Sequence, residues 1–534
     1  MTEDMYFGRK SYLDILQKRV SALKDGYRQN IAIIGDELVG KTSLIIGFLR
    51  NLCDNRIVTS YLEIRPEPID SFIKRFIATL LYNLLINSGD RLEEDLDYLI
   101  QKSEKYIPET VKKIKAILLA NNKRSNKKLF PELLSLTESL KSETGKSCVI
   151  IFDEFHNLES LGFDNLYREW SKLIMTQKNT MYVIISSMKF KTKAILSKSL
   201  SLLFGNFEVI NVEPLDTAAS ESYIDEKMRG LNIDKGFKDF LVHFTGGYPF
   251  YLKVTTQACL ESGSWTPVDA IENLLFDTSG VLNQRFSNYV KRFMDSSRSN
   301  DYMPILRLVA SGRNKIKDIA HIIKKPQKEV LLRVSHLLEL DAIMRNGDFL
   351  RINDRVFGFW LRFVYQEKLN SLTFDAKNQK ALFKSKIEGM MQEFAASARK
   401  PVLERMSDLL RMFEDETIQI DRKRVRLSHF REIKPLEFNA RSLKHGLIGR
   451  SSDSLWLIAL KQGALTESDI TDFSRECKKY RHKLQRKIII TFRDIEANTR
   501  LKAMEEKVWT WDINNLNNIM DLFSKPRLVP CESA

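Results

Sequence analysis

The feature that most constrains this chain is one short segment near its start, Gly35-Asp-Glu-Leu-Val-Gly-Lys-Thr42. It follows an apolar run at 31–35 and precedes a helical pattern that extends to about residue 52. The glycines allow the backbone to curl so that its N–H groups face an anion, and the N-terminus of the following helix adds a favourable dipole. The segment therefore predicts a phosphate-binding loop. Asp36 and Glu37 are unusual neighbours for an anion, so their side chains are expected to point outward.

The loop residues suggest separate tasks. Gly35 and Gly40 would shape the cradle, and Lys41 would reach the β- and γ-phosphates of a nucleoside triphosphate, with ATP as the expected nucleotide. Lys41 is therefore both a binding and a catalytic candidate. Thr42 would ligate Mg²⁺, and Ser43 beside it is included among the nucleotide-binding residues.

A second half of the site is predicted about 110 residues further on. The apolar run at 148–152 ends in two carboxylates, Asp153 and Glu154. Asp153 would help to hold Mg²⁺, and Glu154 would polarise the attacking water as a general base. The next apolar run ends in Ser186 and Ser187. Ser186 is a catalytic candidate because a polar group there can touch the γ-phosphate or the water, but it could equally cap the following turn.

The alternation of apolar runs and helical stretches indicates an α/β fold. Further strands are expected at 57–64, 181–186 and 207–212, and helices from 66 to about 140 around a polar break at 121–128. Continuous apolar strands that alternate with helices indicate a parallel sheet buried on both faces. Beyond Pro214 the pattern turns helical until about residue 296.

Taken together, these motifs resemble those of the archaeal-type ATPases in the STAND-related branch of the P-loop NTPases. Phe7-Gly8-Arg9 is similar to the FxGR box of that group, which lies near the adenine, and 245–252 is similar to its GGxPxYL motif in a helical lid. Arg9 and Pro249 are accordingly nucleotide-binding candidates. The resemblance covers about residues 5–365 and implies a P-loop NTPase of the additional-strand, AAA+/STAND-like type.

One position departs from the group. Its members often carry Gly-Arg just before the fifth strand, where the arginine can act as a finger or sensor, but this chain has Gly205-Asn206. A missing arginine finger lowers turnover by about 10³-fold or more. Slow or partner-dependent hydrolysis is therefore expected.

A winged helix is predicted after the lid. Helices are expected at 301–311, at 315–323 and from Pro326, and the segment 345–352 would form the wing around an Asn-Gly turn. Six cations could contact DNA phosphates: Lys324, Lys325, Lys328, Arg333, Arg345 and Arg351. The alternative is that this module joins domains or binds a protein.

The C-terminal part resembles the restriction-endonuclease-like domain that follows the winged helix in many such ATPases. The segment 352–363 is similar to the linking DPFxxFWxRF pattern, and a polar stretch at 371–380 is expected to be a linker. Strands are expected at 455–460 and 487–492. The basic segment 478–487 is interpreted as a solvated helix face, with a docking surface as the alternative.

A working nuclease would need acidic ligands and a lysine around Mg²⁺. Glu393, Asp453 and Lys461 are the candidates, but Ala459 stands where the resemblance implies a second carboxylate. We therefore expect a nuclease-like core without cleavage activity.

Composition sets the remaining limits. The 534 residues carry a net charge of +15, which attracts nucleic acid or an anionic membrane or is simply a solvated basic surface. No apolar run is long enough to span a bilayer. The five cysteines show no zinc or CxxC spacing. The first ten residues lack the apolar core of a signal peptide, so a cytoplasmic protein without a membrane partner is expected.

These observations lead to four predicted domains: an ATPase domain at 1–217, a helical lid at 218–297, a winged helix at 298–370 and a degenerate nuclease-like domain at 371–534. The leading hypothesis is an ATPase that switches conformation with nucleotide and contacts double-stranded DNA, a protein partner or a second copy of itself. The rival hypothesis is a signalling scaffold that binds ATP without hydrolysing it. An ATP-gated nuclease is disfavoured by Ala459.

Overall fold

The computed structural model describes thirteen stretches of the chain in two compact units. The stretches are 7–52, 54–86, 92–121, 129–200, 207–231, 233–261, 267–296, 301–370, 376–420, 423–439, 443–480, 484–493 and 495–528. The first unit comprises residues up to Ala219 together with Tyr248–Tyr251 and Glu339–Asp341. The second comprises the rest of the chain.

The described part of the first unit alternates strands and helices. Its strands are β1 (Asn30–Ile34), β2 (Ile57–Glu63), β3 (Ser147–Asp153), β4 (Thr180–Ser186) and β5 (Phe207–Asn211). Its helices are α1 (Lys10–Lys24), α2 (Lys41–Asn51), α3 (Ile69–Leu85), α4 (Leu96–Ser103), α5 (Pro108–Asn121), α6 (Leu129–Thr144), α7 (Leu166–Thr176) and α8 (Lys189–Lys198). A 3₁₀ segment follows β3 at Phe155–Leu161.

The five strands form one parallel sheet in the order β2-β3-β4-β1-β5. The strand that leads into the phosphate-binding loop, β1, is separated from the strand that carries Asp153, β3, by β4. This inserted strand defines the additional-strand arrangement. The carboxyl ends of parallel strands lie at one edge of the sheet, so Gly35, Asp153 and Ser186 meet there.

Both faces of this sheet are covered, because its central strands β1, β3 and β4 are buried at every position and mostly apolar. Ile31 and Ile33 of β1 pack with α1 and α2 on one face, and Ala32 and Ile34 pack with the α3–α7 side on the other. Trp170 of α7 is fully buried in the larger cluster. Strand registers are thereby specified on both faces, which fixes the relative positions of the strand ends.

The second unit begins with helices and ends with a mixed sheet. Its helices, of which α9 and α11 begin in the first unit, are α9 (Thr217–Lys227), α10 (Lys235–Thr245), α11 (Pro249–Glu261), α12 (Pro267–Leu275), α13 (Val281–Ser296), α14 (Tyr302–Ala310), α15 (Ile316–Ile322), α16 (Gln327–Glu339), α17 (Arg355–Trp360), α18 (Gln366–Asn370), α19 (Ala376–Arg399), α20 (Val402–Leu410), α21 (Glu467–Cys477), α22 (Ala497–Glu505) and α23 (Ile513–Leu522). Its strands are β6 (Ile343–Asn346), β7 (Phe349–Ile352), β8 (Thr417–Ile420), β9 (Lys423–Arg426), β10 (Glu432–Glu437), β11 (His445–Arg450), β12 (Leu455–Lys461), β13 (Leu484–Thr491) and β14 (Trp509–Trp511).

The winged helix consists of α14, α15, α16 and the antiparallel hairpin β6–β7. Val330, Val334 and Leu337 form the buried face of α16. Gly347 has a φ of +60°, as the Asn-Gly turn requires. A side chain at this position would also meet the carbonyl oxygen of Thr417 at 1.9 Å, so glycine is needed for space as well as for conformation.

The C-terminal sheet has the order β10-β11-β12-β13-β14. Its first three strands are antiparallel, and β13 and β14 continue parallel to β12. Alternate residues of β12 face two separate apolar clusters, so this sheet is also covered on both sides. The predicted fold class is confirmed: an α/β P-loop NTPase of the additional-strand type followed by a helical region, a winged helix and an α/β domain.

Two local predictions in the C-terminal part were wrong. Residues from Ala376 onward, expected to belong to a linker, form the long helix α19. Some of the polar residues of this helix form ion pairs instead of facing solvent alone. Lys380 and Lys384 both bind the buried carboxylate of Glu272. The basic segment 478–487 is not a continuous helix: the described residues form a short 3₁₀ turn and then the start of β13, whose three isoleucines favour a strand.

In the part of the chain that the structure describes, no helix combines the length and apolar character needed to cross a membrane.

Candidate nucleotide site

The phosphate-binding loop connects β1 to α2, and its two outer glycines are required for different reasons. A side chain at Gly35 would lie 2.5 Å from the carbonyl oxygen of Val212, so this position needs the space. Gly40 has a φ of +92°, a conformation that side chains disfavour. Leu38 also has a positive φ, of 64°. The loop therefore has the curled backbone that the sequence predicts.

Lys41 is the first residue of α2, and its side chain is buried within the loop. Its ammonium group donates a hydrogen bond to the backbone carbonyl of Asp36 across 2.7 Å. Burial lowers the pKa of Lys41, while the nearby carboxylates of Glu154 and Asp153 act in the opposite direction. A buried ammonium inside a loop of this curvature is suited to meet phosphate oxygens.

Asp153 ends β3 and is the point of contact between the two halves of the site. The Thr42 hydroxyl donates to its Oδ2 across 2.8 Å, and the Tyr61 hydroxyl donates to the same oxygen across 2.7 Å. The backbone N–H of Glu154 donates to Oδ1 at 2.8 Å. The structure thus brings the two predicted metal ligands, Thr42 and Asp153, together.

This donor set fits Mg²⁺. The ion prefers oxygen ligands and is commonly bound by one or two protein oxygens together with substrate phosphates and water. Among the described residues, no cluster of three or more histidine, cysteine or acidic side chains offers an all-protein metal cage. A site that uses Thr42, Asp153 and phosphate oxygens needs no such cluster.

Glu154 follows Asp153 in a left-handed conformation, with a φ of 50°. Its carboxylate accepts a hydrogen bond from the Ser187 hydroxyl at 2.8 Å and lies 3.2 Å from Nδ1 of His156. Burial raises the pKa of the Glu154 carboxyl. A raised pKa makes the ionised carboxylate a stronger base, as abstraction of a proton from water requires.

Ser186 is the last residue of β4 and is fully buried. Its hydroxyl oxygen accepts from the backbone N–H of Met188 at 3.1 Å and from the Thr192 hydroxyl at 2.7 Å, and it lies 3.1 Å from Nδ1 of His156. The contact with Met188 is the turn-capping arrangement that the sequence left open as the alternative. A catalytic role for Ser186 remains a prediction, and Ser187 is the serine that contacts Glu154.

His156 belongs to no motif in the sequence, so its place in the site is evident only from the structure. Burial lowers its pKa to about 4, so the ring is neutral at pH 7. Depending on the tautomer, Nδ1 can donate to Glu154 or accept from Ser186. His156 therefore orients groups around the carboxylate in either case.

Arg9 lies at the start of α1 and is buried. Its guanidinium donates to the backbone carbonyl of Val39 at 3.0 Å, so the Phe7-Gly8-Arg9 segment packs against the phosphate-binding loop. Burial lowers the pKa of Arg9.

Pro249, the first residue of α11, follows Tyr248, whose hydroxyl donates to Asp36 at 3.0 Å. Both predicted segments thus contact the loop, and their contacts with a nucleotide remain predictions.

The Asp36 side chain turns away from the loop interior, in agreement with the expectation from the sequence. Its Oδ1 forms an ion pair with the ammonium group of Lys189 at 2.7 Å, and its Oδ2 accepts from Tyr248. Glu37 is exposed. Neither carboxylate therefore fills the cradle. Asn206, the expected departure from the ATPase group, lies outside the described residues.

The cations predicted to contact DNA divide into two sets. Lys325 and Arg333 both pair with Asp301, and Arg351 pairs with Asp521 at 2.6 Å. Exposed side chains form the other set: Lys324, Lys328 and Arg345. Only the exposed set can approach a phosphate without breaking a pair.

The tip of the wing is also engaged within the second unit. Asn346 exchanges two hydrogen bonds with the backbone of Gln419, and the carboxylate of Asp348 accepts from the Thr417 N–H at 2.8 Å.

The degenerate nuclease site is not assembled as predicted. Asp453 lies in the turn between β11 and β12, whereas Lys461 ends β12. A strand of this length spans about 20 Å, so the two cannot share one Mg²⁺. Lys461 instead pairs with the buried carboxylate of Asp469 at 2.9 Å, and Ala459 points into an apolar cluster. Glu393 is exposed on α19. The absence of cleavage activity remains a prediction.

Comparisons with known proteins give structural similarities alone, since no family model and no curated protein matches the chain. A Walker-type ATPase of Pyrococcus abyssi is 19% identical, with a TM-score of 0.49 over 66% of this chain and 95% of that protein. The ORC2 protein of Aeropyrum pernix, solved in ADPNP–ADP complexes, is 11% identical, with a TM-score of 0.40 over 68% and 95%. The ORC1 protein of Aeropyrum pernix, solved with DNA, is 13% identical, with a TM-score of 0.32 over 66% and 92%. The fold assignment rests on the strand order and loop geometry described above.

Proposed function

We propose that this chain is a Mg²⁺-dependent ATPase of low turnover that uses bound nucleotide as a conformational switch. The observation that carries the proposal is the hydrogen bond between Thr42 and Asp153, 2.8 Å long, beside a buried Lys41 and the carboxylate of Glu154. Four groups with complementary roles in phosphoryl transfer converge at one edge of the sheet.

The reaction would be hydrolysis of the terminal phosphate. A water oxygen attacks the γ-phosphorus, the bond from that phosphorus to the β–γ bridging oxygen breaks, and ADP leaves with the electron pair. Glu154 accepts the proton of the attacking water, and Lys41 stabilises the charge on the β- and γ-phosphate oxygens. Mg²⁺, held through Thr42 and Asp153, would neutralise phosphate charge during this transfer.

Arg9 and Pro249 are proposed to contact the nucleotide from outside the phosphate-binding loop. Both segments contact the phosphate-binding loop, Arg9 through Val39 and Tyr248 beside Pro249 through Asp36. A nucleoside triphosphate bound in the loop would change these contacts. The conformation of both segments would then depend on the bound nucleotide, as a conformational switch requires.

A second proposed property is contact with duplex DNA through the winged helix. The exposed cations Lys324, Lys328 and Arg345 support it, together with the net charge of +15. Lys325, Arg333 and Arg351 are removed from the proposed contact because they pair with carboxylates. The alternative, a scaffold that holds ATP and docks a protein, would use the same module without DNA.

The test is ATP turnover by the purified chain with Mg²⁺, over a range of protein concentrations and with or without duplex DNA at stated salt. Slow hydrolysis that rises with DNA or with protein concentration is the expected result. Tight ATP binding without turnover under every condition would favour the scaffold. Absence of ATP binding would overturn the proposal.

A further inference from the structure

Lys189 lies next to the phosphate-binding loop but belongs to a different element. It is the first residue of α8 and comes two positions after Ser187, which contacts Glu154. Its ammonium group pairs with Asp36 at 2.7 Å, and its side chain is 26% exposed. The lysine is thus partly shielded and remains within reach of water.

Asp36 stands between two ammonium groups. Its side chain holds Lys189, and its backbone carbonyl accepts from Lys41 at 2.7 Å. An aspartate spans about 5 Å between its carbonyl and carboxylate oxygens, so the two ammonium nitrogens lie within about 10 Å of each other. A lysine stem has four rotatable methylenes and can sweep across that distance.

The start of α8 is surrounded by carboxylates. Asp36 faces Lys189, and the carboxylate of Asp341 accepts from the backbone N–H of Phe190 at 3.1 Å. A helix N-terminus that carries a lysine favours an anion. Both carboxylates therefore occupy a positive region that a phosphate group could also use.

We propose that Lys189 is a ligand of the γ-phosphate. In the absence of a nucleoside triphosphate, Lys189 is paired with Asp36. The inference rests on the proposed function. A γ-phosphate carries about two negative charges where a carboxylate carries one, so at equal distance it attracts the ammonium about twice as strongly. Lys189 exchanges Asp36 for the γ-phosphate, and the released Asp36 retains its hydrogen bond from Tyr248.

The exchange gives the site a way to distinguish ATP from ADP. ADP has no γ-phosphate, so Lys189 stays with Asp36 when ADP is bound. Lys189 would also contribute positive charge during hydrolysis. A static structural ion pair that only neutralises Asp36 would make no such distinction between the nucleotides.

The experiment compares affinities for ATP and ADP, each with Mg²⁺, in the full chain. Lys189→Met is expected to weaken ATP binding by about 10-fold or more and to leave ADP binding unchanged, because a charge-assisted hydrogen bond is lost with ATP alone. Asp36→Asn is expected to raise the preference for ATP over ADP, since the competing carboxylate charge is gone. Lys189→Arg should retain part of the preference. Lys193→Met, an exposed lysine on the same helix, is the matched control.

Binding of ADP confirms that each variant is folded. A wild-type ATP-to-ADP preference in Lys189→Met would overturn the inference, and so would a lowered preference in Asp36→Asn. The proposed function fails separately, if Lys41→Ala binds both nucleotides as the wild type does.

Discussion

The hydroxyl of Tyr61 donates a hydrogen bond to Oδ2 of Asp153 across 2.7 Å, although 92 residues separate them in the chain. Strands β2 and β3 are neighbours in the sheet, which brings the two side chains together. Burial, and then the hydrogen bond to Asp153, raise the pKa of Tyr61, so the phenol keeps its proton and remains a donor. Tyr61 therefore orients the carboxylate that is proposed to hold Mg²⁺.

Replacement of Tyr61 by phenylalanine should raise the Mg²⁺ concentration needed for half-maximal ATP binding by about 10-fold, because groups that orient a metal ligand contribute that much to affinity. The measurement is a Mg²⁺ titration of ATP binding. Tyr182→Phe is the matched control, since it also removes a hydroxyl that donates to a side chain, but to that of Gln177. An unchanged Mg²⁺ dependence in Tyr61→Phe would show that the hydrogen bond has no such role.

Loss of the P-loop lysine should abolish most nucleotide binding. Lys41→Ala removes the buried ammonium group that meets the phosphates, so ATP with Mg²⁺ should no longer raise the melting temperature. Lys172→Ala, an exposed lysine that pairs with Glu169, should respond to ATP as the wild type does. If ATP raised the melting temperature of Lys41→Ala as much as that of the wild type, the segment 35–42 would not be the nucleotide-binding loop.

A buried carboxylate in the second unit should control acid stability. Asp521 binds three guanidinium groups, those of Arg351, Arg355 and Arg527. Burial acts to raise the pKa of Asp521, but the arginines outweigh it and hold the pKa well below its usual range. Its stabilising effect is therefore complete above the unfolded pKa of about 3.9 and is lost as the pH falls through the lower folded pKa.

Asp521→Asn should destabilise the second unit by about 3 kcal/mol at pH 7, because it leaves three partly buried arginines without the buried carboxylate that pairs with them. Urea denaturation measures this, and the difference from wild type should shrink below pH 4 or so. Asp472→Asn, which breaks a surface pair with Arg475, should lose about 1 kcal/mol or less. Equal stability of the two variants would mean that the arginine cluster contributes little.

The winged helix should give salt-sensitive binding of duplex DNA with weak sequence preference. Reversal of Lys324, Lys328 and Arg345 to glutamate should weaken binding and reduce the salt slope, by about 0.9 for each phosphate that the protein no longer neutralises. Equal charge reversal at exposed positions of the first unit controls for net charge: Lys112, Lys115 and Lys172. Absence of binding at low salt would favour a protein partner.

The sequence predicted the parts of the site that have local signals. The phosphate-binding loop that begins at Gly35 is predicted by its motif. The carboxylates at the end of β3 are predicted by an apolar run that ends in two charged residues. Tyr61 and Lys189 carried no such signal, because their contacts depend on the order of strands in the sheet and on loop conformation. Only the folded arrangement brings Tyr61 to Asp153 and Lys189 to Asp36.

The C-terminal part was harder to predict for a different reason. Strands β8, β9 and β11 have only four to six residues, and Lys423–Arg426 in β9 is mostly charged. Runs this short offer too few positions for a periodic pattern to be recognised, and Val425 is the one apolar residue of β9. Order along the chain groups Asp453 with Lys461, whereas strand β12 lies between them and keeps them apart.

Glu154 is the proposed base of a Mg²⁺-dependent ATPase. The most direct test measures ATP affinity and phosphate release on the same samples of wild type and Glu154→Gln. We expect equal ATP affinity and phosphate release slower by about 100-fold or more in the variant, because the amide keeps the shape of the carboxylate but cannot act as the base. Phosphate release at the wild-type rate by Glu154→Gln would contradict it.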